Sequence, residues 1–259
     1  MCILFIAVQK HPEFPLIIAA NRDEFHQRPT RESKFWEHQP NLLAGKDLSA
    51  GGSWMGVTRN GKISALTNIR APTRQNDAAR SRGELVTNFL NQDININSYA
   101  AILEATADDY NGYNLLYGTL SKLELSVFNN HTRMHQTLTQ GYYGLSNASL
   151  DKPWPKIQRG KQALADYCES HTDIDKRVLF RLLGDNTQAE DDKLPETGVP
   201  YEWEKQLSSI FIHGQEYGTR SSTVLTVNNQ NHVEWEEHSF DPQGNRVNQQ
   251  SFQFDLTKL

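Results

Sequence analysis

An α+β layered sandwich is the fold class that the sequence predicts. Strands lead the 259-residue chain, helices follow and strands return. No regular strand–helix–strand alternation of the kind that builds a doubly wound parallel sheet is visible. Two packed sheets with helices on both sides fit that order. An apolar share of 37%, with 11 Phe, 9 Tyr and 5 Trp, supplies a sizeable core, and a single domain over 1–259 lies within the size one layered domain can reach.

The elements follow in chain order. Cys2–Val8 is a β-branched and aromatic run, and Pro15–Ala20 repeats that character after the breaker-rich QKHPEF, which predicts two neighbouring buried strands. The second ends at the polar tetrad Asn21-Arg22-Asp23-Glu24. Trp54–Arg59 and Lys62–Leu66 flank Asn60-Gly61, a dipeptide suited to the positive φ angles of a tight hairpin. Ser81 and Glu84 have capping-box spacing, so a helix begins near Ser81 and presents Leu85, Val86, Phe89 and Leu90 on one face. A helix over Ser98–Ala105 precedes strands at Tyr113–Thr119, Leu123–Asn129 and Met134–Leu138. Helical spacing returns over Lys156–Cys168 and Asp175–Leu183. Asp185–Lys205, acidic and broken by Pro195 and Pro200, reads as a surface loop or lid. Alternating segments Ser209–His213, Ser221–Asn228, Val233–Ser239 and Gln250–Leu256 close the chain as strands.

Composition disfavours several functions. A net charge of −5 provides no general attraction for nucleic acid. The run CILFIAV is far short of the roughly 18–20 apolar residues that span a bilayer, and it lacks the flanks of a secretory signal, so the cytoplasm is the expected compartment. The two cysteines, Cys2 and Cys168, have no zinc-type spacing, and the chain contains no Walker loop, GxGxxG, GxSxG or HExxH. His131 and His135 are four apart, but in surroundings that read as strand or turn they make a weak metal site.

Cys2 is different in kind. Cells commonly remove an initiator Met that precedes a small residue, and a thiol and a free α-amine then belong to one residue. With reference pKa values of about 8.5 and about 7.7–8.0, the amine can take the thiol proton near neutral pH. The plain alternative is a small apolar residue opening a buried strand. If the first two strands pair antiparallel, the tetrad lies beside the chain start, where Asp23 can orient the amine and Arg22 can stabilise a thiolate. An exposed turn with an ion pair is the ordinary alternative. Asn68 and Asn147 each follow an apolar run and carry the neutral N–H₂ donor that suits an oxyanion, although Asn is also a common turn residue. Arg220 sits among small hydroxyl residues in GTRSST, where it can hold a carboxylate. Arg70, Arg74, Arg80 and Arg82 surround one loop and suggest a place for an anionic part of a substrate, or a solvated charged surface.

The start MCILFIA, the tetrad NRDE, and then GGSWMGV, ALTN, SRGELV, YNGYNLL, YGLSNASLDKPW and YGTRSS together resemble the NRDE family, in order and over nearly the whole chain. The resemblance implies a four-layer αββα sandwich of the N-terminal-nucleophile (Ntn) hydrolase type, related to cholylglycine hydrolases, penicillin V acylases and acyl-coenzyme A acyltransferases. It implies Cys2 as nucleophile, Asp23 as partner of its amine, Asn147 as first choice of oxyanion donor with Asn68 second, and Arg220 as the later Arg of those enzymes. Arg22 departs from them, because their Arg and Asp are not adjacent. The expected activity is hydrolysis or acyl transfer at a non-peptide amide or thioester of a small acylated substrate, with no metal or organic cofactor. A haem or acyl-lipid binding protein using the same pocket, in keeping with the haem trafficking tied to the family, is the alternative.

Overall fold

The computed structural model describes residues 2–257. Thirteen strands form two antiparallel sheets. The first combines β1 (Cys2–Val8), β2 (Leu16–Phe25), β10 (Gly141–Leu145), β11 (Tyr217–Val227), β12 (His232–Phe240) and β13 (Arg246–Asp255) in the order β10-β1-β2-β11-β12-β13. The second runs in sequence order through β3 (Thr30–Trp36), β4 (Gln39–Asp47), β5 (Met55–Thr58), β6 (Lys62–Asn68), β7 (Tyr113–Thr119), β8 (Glu124–Asn129) and β9 (Met134–Leu138). Five α-helices accompany them: α1 (Gly83–Asn91), α2 (Ile96–Ala105), α3 (Pro155–Ser170), α4 (Lys176–Leu183) and α5 (Tyr201–Gln206).

Every residue of β1 is buried, which explains its unbroken apolar sequence. Leu4, Ile6 and Val8 join Leu43, Val57, Ile63, Leu116 and Val127 in a cluster drawn from both sheets. Ile3, Phe5 and Ala7 on the opposite face pack with Ile157, Leu164, Leu179 and Leu183 of α3 and α4. A third cluster sets Val86, Phe89, Tyr99 and Leu103 of α1 and α2 against Leu42, Leu115, Tyr117 and Phe128 of the second sheet. Gly160 shows how closely α3 lies on β1, since a Cβ there would fall 2.1 Å from the ring of Phe5.

Several local expectations change. The tetrad lies inside β2 rather than after it, because β11 pairs with β2 as far as Tyr217↔Phe25. The hairpin at Asn60-Gly61 forms, but only Gly61 has positive φ (86°), and the Gly61 N–H donates to the Thr58 carbonyl at 2.9 Å. That geometry belongs to a longer turn than the two-residue loop the dipeptide suggests. The capping box is not made: α1 has no side-chain cap, and Glu84 instead accepts from the Tyr110 hydroxyl at 2.7 Å. Helix α2 begins earlier than predicted because Asn95 caps it, accepting from the Ser98 N–H at 2.8 Å. The segment Ser209–His213 does not form the expected strand, although residues 209–212 are buried. The side-chain hydroxyls of Ser209 and Thr219 take part in its hydrogen bonding in place of a ladder. The predicted lid contains α5 and a short 3-10 turn at Asp191–Lys193.

Candidate functional site

The site forms where β1 begins. Antiparallel pairing sets Cys2 opposite Arg22, so Asp23 projects one residue beyond the start of β1. On the other side of β2, Asp23 pairs with Thr219 and Arg22 with Ser221, which leaves Arg220 as the extra residue of a β-bulge. Strand β10 flanks β1 and ends at Leu145, delivering Ser146 and Asn147 to the same corner; the Ser146 hydroxyl lies 3.4 Å from the Cys2 carbonyl as donor. From the second sheet, β6 ends at Asn68.

Cys2, Arg22, Asp23 and Asn68 line one cavity of about 280 Å³, with Trp54, Arg28, Asp47, Arg80 and Arg82 on its walls. Cys2 and Asp23 are buried, at 9% and 2% exposure. Burial pushes the Cys2 thiol above its ordinary value, with Asp23 adding to the rise and Arg22 opposing it. A thiol so placed keeps its proton at neutral pH, and could act as a nucleophile only with a base to take that proton. Burial also raises the Asp23 carboxyl; Lys156, the hydroxyl of Thr219 that donates to Oδ1 at 2.7 Å, and Arg22 oppose the rise. The Arg22 guanidinium lies over the Trp54 ring at 4.3 Å, and its buried Nη1 has no hydrogen-bond partner among the described residues. A buried guanidinium N–H without a partner has lost the hydrogen bonds that water gave it, so it is free to donate to a group that enters the cavity.

The guanidiniums divide into two kinds. Arg28 is held by Asp47 at 2.6 Å and Arg80 by Glu84 at 2.7 Å. Among the described residues Arg82 donates only to the Gly112 carbonyl, at 3.1 Å, and burial lowers its pKa. Neither Arg22 nor Arg82 forms an ion pair among the described residues, and although Asp23 and Glu24 share the cavity, two unpaired guanidiniums on its wall would favour an anionic ligand group.

Two predicted site residues work at a distance. Asn147 is buried, but it is not among the residues lining the cavity; its Nδ2 donates to the Asn68 backbone carbonyl at 2.9 Å. Its carboxamide thus fixes the end of β6. Arg220 donates through Nη1 to the carbonyls of Phe25, His26 and Arg28, at 2.9, 3.0 and 3.2 Å. It clamps the chain leaving β2 rather than facing the cavity. Of the loop arginines, Arg80 and Arg82 line the cavity, whereas Arg70 turns into the protein and pairs with buried Glu204 at 2.5 Å.

Sequence reasoning missed Lys156 and Glu204, since a Lys in the first turn of a helix and a Glu in an acidic segment ordinarily face water. Lys156 is 3% exposed, and its Nζ donates to the Leu207 carbonyl at 2.9 Å. Burial, reinforced by Arg70 and opposed by Asp23 and Glu204, brings its ammonium down to about 7. An unfolded lysine keeps its proton up to its ordinary value of 10.5, so the unfolded chain binds more protons between about pH 7 and 10.5. Stability from this group is present above that window and is lost as pH falls to about 7. Relative to Lys156→Met, the wild type is expected to gain stability as pH rises through the window in urea denaturation; a constant difference would refute the assignment.

The model of the family described as Transport and Golgi organisation 2 matches residues 1–242. The mouse Transport and Golgi organization 2 homolog is 34% identical over 275 residues, covering 99% of each chain, and the bovine homolog is 36% identical over 257 residues, covering 92% of this chain and 93% of its own. The chain belongs to the Transport and Golgi organisation 2 family. Among solved structures, this family member is similar to a Caenorhabditis elegans N-acylethanolamine-hydrolyzing acid amidase ortholog, with a TM-score of 0.50, 11% identity and coverage of 86% of this chain and 92% of that one. It is also similar to a variant of conjugated bile acid hydrolase from Clostridium perfringens, with a TM-score of 0.51, 10% identity and coverage of 99% and 98%. These neighbours are of Ntn-hydrolase type, and the likeness is one of fold. No helix among the described residues is long and apolar enough to cross a membrane.

Proposed function

We propose that this Transport and Golgi organisation 2 protein is an N-terminal-cysteine hydrolase or acyltransferase acting on a small acylated substrate with an anionic group. Residues 1–259 are read as a single domain of the NRDE type, its sheets and helices layered αββα. The observation that carries the reading is the convergence of Cys2, Arg22, Asp23 and Asn68 on one cavity. Met1 lies outside the described residues, and its removal belongs to the proposal. The freed α-amine takes the thiol proton as sulfur bonds to the acyl carbon, and Asn68 donates to the oxyanion. The ammonium, held by Asp23, then protonates the leaving nitrogen or sulfur as its bond to the acyl carbon breaks. Water, or another acceptor, releases the acyl group from Cys2. Arg82 and Arg22 meet the anionic part of the substrate. The hydrolytic names of the two structural neighbours support the same class.

Alkylation tests this directly. Cys168 is buried, and burial pushes its thiol up to about 11, so it serves as an internal reference. Iodoacetamide is expected to modify Cys2 of the Met1-free protein much faster than Cys168, as followed by peptide mass. Equal rates, or no reaction at Cys2, would remove the nucleophile from the scheme. Carriage of haem or an acyl lipid in the same cavity would instead give saturable binding without an adduct, and the charged walls favour the hydrolytic reading.

A further inference from the structure

The helix-covered face of the first sheet holds another cleft, of about 460 Å³, between the end of α4 and strands β11–β13. It shares no lining residue with the cysteine cavity. Among the described residues its walls carry three Arg and two His and no carboxylate, on a chain of net charge −5. Arg177 is held by Asp175 at 2.8 Å, but Arg181 and Arg246 form no ion pair among the described residues. Aromatic rings supply the rest. Phe211 and Phe240 meet edge to face at 4.9 Å, and Phe180 stacks on His238 at 3.7 Å and 11°. The His238 Nε2 lies 2.9 Å from a Glu236 carboxylate oxygen, which fixes that ring against Phe180, and burial lowers its pKa.

Asn21, the one tetrad residue that the cysteine cavity does not use, serves this side of the sheet. Its Nδ2 donates to the carbonyls of Leu183 at 2.9 Å and Ile210 at 3.0 Å, and its Oδ1 accepts from the Ser222 hydroxyl at 2.6 Å. Those bonds tie the end of α4 and the segment leading into Phe211 to β2. Ser222 itself lines the cleft. Adjacent residues of β2 therefore serve two cavities: Arg22, stacked over Trp54, the first, and Asn21, on the opposite face of the strand, the second.

We propose that this cleft is a second ligand site, for a small aromatic anion of the nucleoside monophosphate class. The ring lies against the phenylalanine wall, and the phosphate is paired by Arg181 and Arg246. Guanidinium forks match phosphate oxygens, and an aromatic wall selects a planar ring over a sugar. A volume of about 460 Å³ accepts a ligand of that size. This reading stands whether or not Cys2 is a nucleophile.

Calorimetric titration of the full chain with adenosine monophosphate, adenosine and ribose 5-phosphate tests it. The monophosphate is expected to bind saturably, and each fragment at least tenfold more weakly. Arg181→Ala and Arg246→Ala, both at exposed positions, are each expected to weaken binding by roughly tenfold while leaving the rate of Cys2 alkylation unchanged. Absence of saturable monophosphate binding would overturn the proposal. So would equal binding of ribose 5-phosphate, or affinity that survives both substitutions but is lost in Arg82→Ala, which would place the ligand in the cysteine cavity.

Discussion

Cys2→Ala is expected to abolish acyl uptake while the fold persists. Incubated with a short-chain acyl thioester, the Met1-free wild type gains the acyl mass on its N-terminal peptide, and the variant gains none. The loss is complete because the sulfur forms the bond; Ser53 and Ser81 also line the cavity, but neither hydroxyl has an α-amine on its own residue to take its proton. Alanine keeps the strand apolar, so the packing that Cys2 makes beside Leu4 and Trp54 changes little. Asn68→Ala acts on the same step by a different route. Loss of one oxyanion donor is expected to slow acylation by about 10²–10³-fold. Asn147→Ala reaches the reaction only through the Asn68 carbonyl that it holds, and it is expected to slow acylation less than Asn68→Ala does. Acyl uptake by the Cys2→Ala peptide, or a larger effect at Asn147 than at Asn68, would contradict the arrangement proposed.

Much of the frame was legible because local sequence and tertiary environment agree. β1, β7 and β9 are read with their observed boundaries from apolar, β-branched or aromatic runs. β3 and β4 were not legible: TRESKFW is largely half-exposed and charged, and QPNLLAGKD contains Pro40 and Gly45. Gly45 reads as a breaker until the fold places Trp54 over it, where a Cβ would fall 2.2 Å from the indole ring. β10, GYYGL, hides for the same reason, since Gly144 lies within 2.7 Å, by its would-be Cβ, of Ile157 in α3. Such close approaches are properties of the packed whole and leave only a misleading glycine in the sequence.

The site divides along the same line. Pairing of the first two strands is enough to predict that Cys2, Arg22 and Asp23 meet, whereas Asn68 ends a strand of the second sheet and reaches the cavity only through the packing of the two sheets. Asn147 and Arg220 lie near the site as anticipated, but their hydrogen bonds go to backbone carbonyls. A residue type suited to chemistry is equally suited to holding a turn, and only geometry separates the two. Lys156 and Glu204 go unnoticed in the sequence, and Arg70 reads as a loop cation rather than a buried one, because charged side chains are rarely buried and nothing local announces the exception.

That buried group leads to the largest stability effect expected. Glu204→Ala should destabilise the fold by about 3–5 kcal/mol in chemical denaturation, the usual cost of leaving one charge of a buried pair alone. Arg70 and Glu204 are 4% and 7% exposed at their side chains, and besides Arg70 the carboxylate accepts from the Thr197 N–H at 2.7 Å and from the Thr197 hydroxyl. Arg70 already has two buried nitrogens, Nε and Nη2, without hydrogen-bond partners among the described residues, and burial lowers its pKa against the pull of Glu204. Removing the carboxylate strands the guanidinium, which does not lose its proton in compensation. The double variant Arg70→Met with Glu204→Leu separates charge from packing: it is expected to recover most of the loss, because two apolar side chains need no counter-ion. The single variant should also loosen the segment around Thr197, which Glu204 ties to the strand end two residues past Asn68, and so raise proteolytic cleavage there. Near-wild-type stability of Glu204→Ala, or a double variant no more stable than the single, would show that the ion pair does not organise this corner of the protein.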